Sequence, residues 1–88
     1  MDPQIGELYI FVKPRTKYRN WMICLEEIKD AKLCLVGDYV LFLKKDYYSG
    51  NLFSNDISWV FLTKHGLAKE NYVCINSLIE EGCLEIVK

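Results

Sequence analysis

This chain of 88 residues contains short apolar runs that are separated by turn-forming residues. The runs are rich in β-branched and aromatic side chains, which fit the pleated surface of a sheet better than the interior of a helix. They lie at residues 7–13, 21–25, 39–45, 57–63, 72–75 and 83–87. We therefore predict a mainly β domain of five to six short antiparallel strands.

Turn signals mark the boundaries of these predicted strands. Pro14 ends the first strand because proline lacks a backbone donor for the ladder. Gly37 and Asp38 predict a turn before the strand at 39–45, which is apolar on both faces. Gly66 follows Lys64 and His65 and predicts a hairpin that returns into a strand at 72–75.

Two further stretches predict short helical turns or loops. In residues 25–35 the apolar positions recur at helical spacing, so that a helical turn is favoured over a strand there. Ser77 and Glu80 match a capping box that begins a helical turn, and Gly82 suits its left-handed end. Residues 46–56 are rich in Gly, Asn, Asp and Ser, which predicts a long surface loop.

Length and composition bound the class of protein. A chain of 88 residues is enough for one domain, and 51% hydrophobic residues can fill one core, so we expect residues 1–88 to form a single globular domain. The first residues form no signal peptide, and no apolar run approaches the roughly 18 residues that span a bilayer. We expect a cytoplasmic protein that makes no membrane contact.

The four cysteines, Cys24, Cys34, Cys74 and Cys83, do not have the spacing of a zinc site. Each of them lies in or beside an apolar run, where cysteine commonly behaves as a small buried hydrophobic residue. We predict reduced core thiols and no bound metal.

Residues 13–21 form a basic segment that carries four positive charges, no negative charge and two aromatic rings. The chain as a whole has a net charge of −1, and without these four charges seven Lys and Arg face twelve Asp and Glu, a balance of −5. Charge that is segregated in this way predicts a contact site for an anionic partner.

The order of these elements resembles small SH3-like barrels, and in particular the short SH3-like proteins that tailed bacteriophages encode. The resemblance rests on residues 6–9, 37–43, 60–66 and 84–87 and on Trp21, which opens the second strand. It implies an SH3-like barrel with one or two short helical turns, and an accessory factor that binds and modulates a host protein in the host cytoplasm. Residues 26–36 and the long loop at 46–56 depart from compact barrels, and the first loop is basic rather than acidic, so that recognition of proline-rich peptides is not implied.

Few side chains in this sequence are candidates for catalysis. His65 is the single imidazole and lies at a predicted turn, where a solvated side chain is the simplest interpretation. The adjacent pairs Glu26 with Glu27 and Glu80 with Glu81 do not converge on one substrate from a helix. No phosphate-binding or nucleophile motif is present, so we expect a non-enzymatic protein without a cofactor.

A binding module is the remaining class, and two partners compete for it. The first is a protein with an acidic surface patch, which aromatic anchors and the basic segment would contact. The second is RNA or single-stranded nucleic acid, with cations on phosphates and Tyr18 stacked on a base; a pI of 5.8 fits it less well. The predicted partner-binding residues are Lys13, Arg15, Lys17, Tyr18, Arg19, Trp21, Tyr47, Tyr48 and Phe53.

Three alternatives stay open at this point. Trp21 and Trp59 lie in predicted strands, so that burial in the core is favoured over exposure for both rings. The basic segment is also compatible with a solvated hairpin that has no partner. A homodimer that pairs through an edge strand or the aromatic loop is compatible with the high apolar content.

Overall fold

The computed structural model describes residues 2–14, 21–26, 30–47 and 57–88, and these residues form a mainly β fold with one helix. The elements in chain order are β1 (Leu8–Phe11), β2 (Trp21–Leu25), β3 (Ala31–Cys34), β4 (Tyr39–Tyr47), β5 (Ile57–Thr63), β6 (Gly66–Asn71), α1 (Tyr72–Glu80) and β7 (Leu84–Ile86). The predicted mainly β class is confirmed. The described residues contain seven strands where five or six were predicted, and one helix of nine residues where short turns were predicted.

All strands join one antiparallel sheet in the order β3-β2-β6-β5-β4-β1-β7. Three strands separate β1 from β2 in this order, which in a flat sheet is a distance of about 19 Å. The rings of Phe11 in β1 and Trp21 in β2 nevertheless lie 6.0 Å apart between centroids. The sheet is therefore curled into a half-barrel, with an inner face that holds the core and an outer face directed away from it.

Aromatic rings fill the inner face. The fully buried ring of Phe42 lies 5.4 Å from Tyr9, 5.2 Å from Trp59 and 5.7 Å from Phe61. Trp21 stacks on Phe61 at 5.4 Å and links β2 to this cluster. Offset and edge contacts at these distances add favourable electrostatics to the burial of large apolar surfaces.

The strands predicted at 7–13, 21–25, 39–45, 57–63 and 83–87 are confirmed by β1, β2, β4, β5 and β7. Alternation explains why they form: in β2, Trp21, Ile23 and Leu25 are buried, while Met22 and Cys24 between them are exposed. This is the pattern of a strand with one face against a core.

The helical turn predicted in residues 25–35 is wrong where the structure describes this stretch, because β3 lies there. The backbone N–H of Leu25 donates to the carbonyl of Asp30, and the carboxylate of Asp30 accepts from the N–H of Ala31. These bonds close a hairpin that places Cys34 opposite Trp21. The helical spacing was misleading, since Leu35 is 45% exposed rather than part of a buried stripe.

The strand predicted at 72–75 is also wrong, because the returning strand is β6 and residue 72 begins α1. The side chain of Asn71 accepts a hydrogen bond from the N–H of Val73 at 2.8 Å and caps the helix. Ile75 and Leu78 are three residues apart and bury the face of α1 that packs on the core. The apolar run thus serves a helix rather than a strand.

The capping box predicted at Ser77 and Glu80 does not begin a helix, because Ser77 lies inside α1. The left-handed end predicted at Gly82 is confirmed by its φ of +77°. Beyond it, the N–H of Cys83 donates to the carbonyl of Leu78 at 2.8 Å, which is the closing bond of a Schellman motif.

The cap position gives a first prediction. Asn71→Ala removes the acceptor for the N–H of Val73 and should lower the free energy of unfolding by about 1 kcal/mol. Ser77→Ala is the matched control and should change it by less than about 0.5 kcal/mol, since alanine is favoured inside a helix. Urea denaturation of both variants measures the difference. Equal losses, or a larger loss for Ser77→Ala, would contradict a helix that begins after Asn71.

Candidate functional site

Most of the predicted partner-binding residues fall outside the part of the chain that the structure describes. These are Arg15, Lys17, Tyr18, Arg19, Tyr48 and Phe53. Lys13 is exposed just after β1, and Tyr47 is the last residue of β4. The basic segment therefore stays a prediction as a contact site.

Trp21 is a correction to the predicted set, because its ring belongs to the core. Its side chain is 7% exposed and stacks on Phe61, so it offers no exposed anchor to a partner. Trp59 is 1% exposed, with the ammonium of Lys45 lying 5.1 Å from its ring centroid. The interpretation that both strand tryptophans are buried is confirmed.

The outer face of the sheet carries four leucines in register on four neighbouring strands. Leu8 of β1 is opposite Leu41 of β4, Leu41 is opposite Leu62 of β5, and Leu62 is opposite Leu67 of β6. Their inward neighbours Tyr9, Val40, Phe61 and Ala68 are buried, so the pleat directs the leucines outward. We name these four residues the leucine row.

The leucine row is accessible to solvent. Leu8 is 36% and Leu62 is 44% exposed, while Leu41 and Leu67 are half-buried. Tyr39, which lies two residues before Leu41 on the same face, is 53% exposed. Single exposed leucines are ordinary on a protein surface, but a contiguous row of them is typical of a binding surface.

A shallow groove of about 400 Å³ runs beside the leucine row. Its residues come from β1, β4 and β5 and from two turns, and they are Leu8, Gly37, Asp38, Tyr39, Leu41, Leu62, Thr63 and Lys64. The turns form because Gly37 adopts a φ of +98° and Gly66 one of +124°, which other residues rarely adopt. Both predicted turns are thus confirmed, and together they form one wall of the groove.

Asp38 holds the two turns of this wall together. One carboxylate oxygen accepts from the N–H of Leu35 at 2.8 Å, and the other lies 3.2 Å from the ammonium of Lys64. Desolvation by burial acts to raise the pKa of Asp38, but the Leu35 N–H and the Lys64 ammonium outweigh it and hold the pKa below its usual value. The wall is therefore fixed by a charged carboxylate at neutral pH.

The opposite side of the leucine row is polar. The ammonium of Lys69 lies 3.3 Å from the carboxylate of Asp46, and Lys44 is exposed. A β-bulge between Phe42 and Lys44 turns both Lys44 and Asp46 toward the outer face. The row is thus an apolar band bounded by charged residues on each side.

Sequence reasoning missed the leucine row, because its members lie on four strands and only the register brings them together. One signal is present in the sequence: the strand predicted at 39–45 is apolar on both faces. In an antiparallel sheet, such a strand has a second apolar face that needs a partner or stays exposed.

The cysteines are free thiols with different surroundings. Cys34 and Cys83 are buried, as predicted, whereas Cys24 is exposed on the outer face, which corrects its assignment to the core. Desolvation by burial and the nearby Asp38 carboxylate raise the pKa of Cys34 to about 12, so its thiol stays protonated and unreactive.

Chemistry-bearing groups do not cluster in the described ranges. His65 is exposed in the turn between β5 and β6, as predicted. Within these ranges no three His, Cys, Asp or Glu side chains are placed to hold a metal ion together. The described helix is too short to cross a bilayer.

Comparisons with models of protein families, with curated proteins and with solved structures find no significant match for this chain.

The charged wall gives a prediction about pH. Asp38→Asn should lower the free energy of unfolding by about 1 kcal/mol at pH 7, because the ion pair with Lys64 is lost. Since the folded-state pKa of Asp38 lies below 3.8, this contribution is present above that pH and is lost as the pH falls through the folded-state pKa. The stabilities of the wild type and the variant should therefore converge at acid pH, as measured by denaturation between pH 7 and pH 2.

Asp30→Asn is the control for this measurement, because its ion pair with Lys32 is exposed and should contribute little at any pH. A difference between wild type and Asp38→Asn that is the same at pH 2 as at pH 7 would show that the carboxylate charge does not fix the wall.

Proposed function

We propose that this chain is a non-enzymatic binding module that docks on another protein through the leucine row. The observation that carries the proposal is the alignment of Leu8, Leu41, Leu62 and Leu67 on the solvent side of four neighbouring strands. Burial of such a band on association removes apolar surface from water, which is the main driving force of protein docking.

The basic segment at residues 13–21 is the second part of the proposal. Its cations would steer the module toward a partner with an acidic patch, since electrostatic complementarity acts mainly on the rate and specificity of encounter. Lys13 and the aromatic side chains of Tyr18, Tyr48 and Phe53 are the further residues of this second part of the proposal.

An SH3-like ancestry and the role of a phage accessory factor that modulates a host protein in the cytoplasm extend this proposal. They rest on the sequence resemblance alone. The curled, mainly β sheet supports a small barrel-like architecture at the coarser level.

RNA or single-stranded nucleic acid is the alternative partner, and the interleaved cations and aromatic rings of the basic segment favour it. The leucine row offers nothing to phosphate groups, and the overall pI is 5.8. Docking on a protein therefore accounts for more of the surface.

The test is a quantitative pull-down from host lysate with and without nuclease. Leu62→Lys should reduce recovery of the bound protein at least about tenfold, because it places a charge in the centre of the leucine row. Met22→Lys, on the same face but outside the row and 58% exposed, is the matched control and should bind as the wild type does.

Recovery that survives Leu62→Lys would overturn docking through the leucine row. Recovery that depends on nucleic acid and falls with rising salt would favour the alternative partner. Charge reversal at Arg15, Lys17 and Arg19 tests the basic segment separately, and recovery unchanged by it would remove that segment from the site.

A further inference from the structure

We infer that the occupant of the leucine row is a single amphipathic helix of the partner, about three turns long, with an acidic residue on one flank. The inference rests on the proposed function and adds the class of partner to it. Four observations carry it: the size of the row, the hydrogen bonding of the strands beneath it, the packing of α1 and the position of Lys44.

The size of the row fits one element of secondary structure rather than a globular surface. The four leucines span three strand spacings, which is about 14 Å. A stable dimer or standard complex buries about 800 Å² on each partner, far more than a band of this length and one side chain in width supplies. A second copy of this chain is therefore a poor occupant, whereas three helical turns cover about 16 Å.

The strands under the row exclude an extended occupant. β1, β4, β5 and β6 each have a hydrogen-bonded neighbour on both sides in the sheet. Their outer face therefore offers side chains but no free ladder positions to a peptide backbone. A partner segment that is buried there has to satisfy its own backbone N–H and C=O groups, and a helix does so internally.

The molecule contains its own example of this arrangement on the inner face. There α1 packs against β5, β6 and β7, and its anchors Ile75 and Leu78 are three residues apart and buried. Part of one face of the sheet is thus already covered by an amphipathic helix. The outer face has a corresponding apolar band. Because the pitch of an α-helix is 5.4 Å and the strand spacing is about 4.8 Å, successive turns of a bound helix can contact leucines on successive strands.

Charge complementarity defines the flank of the helix. On the two sides of the row, Lys64 is paired with Asp38 and Lys69 with Asp46. Lys44 is exposed and makes no ion pair with any residue that the structure describes. It lies opposite Val60, two residues along β5 from Leu62, within reach of an acidic side chain on a bound helix.

The experiment is selection from a displayed library of random 16-residue peptides with the wild-type protein as bait. We expect enriched peptides with apolar residues at i, i+3 or i+4 and i+7 and an Asp or Glu beside them. Synthetic versions should become helical on binding, as measured by circular dichroism. Leu62→Lys should weaken their binding at least tenfold and Met22→Lys should not, after the melting temperatures show that both variants are folded.

Lys44→Glu should weaken binding of the acidic peptides several-fold. Peptides whose acidic residue is changed to lysine should bind this variant again. Lys88→Glu, at an exposed site off the row, is the control and should have no effect. Enriched peptides that bind in an extended form but lose binding with Leu62→Lys would overturn the helical occupant and leave docking through the row intact. If no selected peptide loses binding to the Leu62→Lys variant, the inference that a single helix occupies the row is contradicted. If the pull-down is also insensitive to Leu62→Lys, docking through the row fails as well.

Discussion

The structure depends on the curl of one sheet around an aromatic core. Phe42 contacts three other rings, and the pairing of Trp21 with Phe61 and Phe11 draws β2 toward β1 across three intervening strands. A flat sheet of this order would leave both faces exposed. The curl encloses the inner face together with α1, and it leaves the leucine row of the outer face accessible to solvent.

The β-bulge between Phe42 and Lys44 sets the limit of that band. Before it, Tyr39 and Leu41 point outward; after it, Lys44 points outward and Lys45 inward over the ring of Trp59. If the strand alternated regularly through Leu43 with no bulge, Leu43 would point outward and the ammonium of Lys44 would point toward the core. The bulge therefore keeps the core apolar and gives the leucine row a charged border.

Local patterns predicted most of the strands, because alternation and turn residues act within one segment. Two of the failures, at residues 25–35 and 72–75, have a common cause: an apolar spacing that suits either a helix or a strand was decided by local hydrogen bonds that Asp30 and Asn71 accept. Each of these side chains accepts from a nearby backbone N–H and selects a hairpin in one case and a helix in the other.

The candidate site was less accessible to sequence reasoning than the fold. The basic segment could be predicted from the sequence because its charge pattern lies within nine consecutive residues. The leucine row is a property of register, and register depends on the pairing of strands that are far apart in sequence. A strand apolar on both faces, such as β4, is the sign that a second surface has to be explained.

Docking through the leucine row requires that the row is a solvent-facing surface of the free protein. Leucine-methyl NMR spectra of the dilute protein with a soluble paramagnetic probe test it most directly. We expect strong broadening of the methyl signals of Leu8 and Leu62, and protection of those of Leu25, Leu78 and Leu84 in the core. Protection of Leu8 and Leu62 equal to that of the core leucines would contradict it.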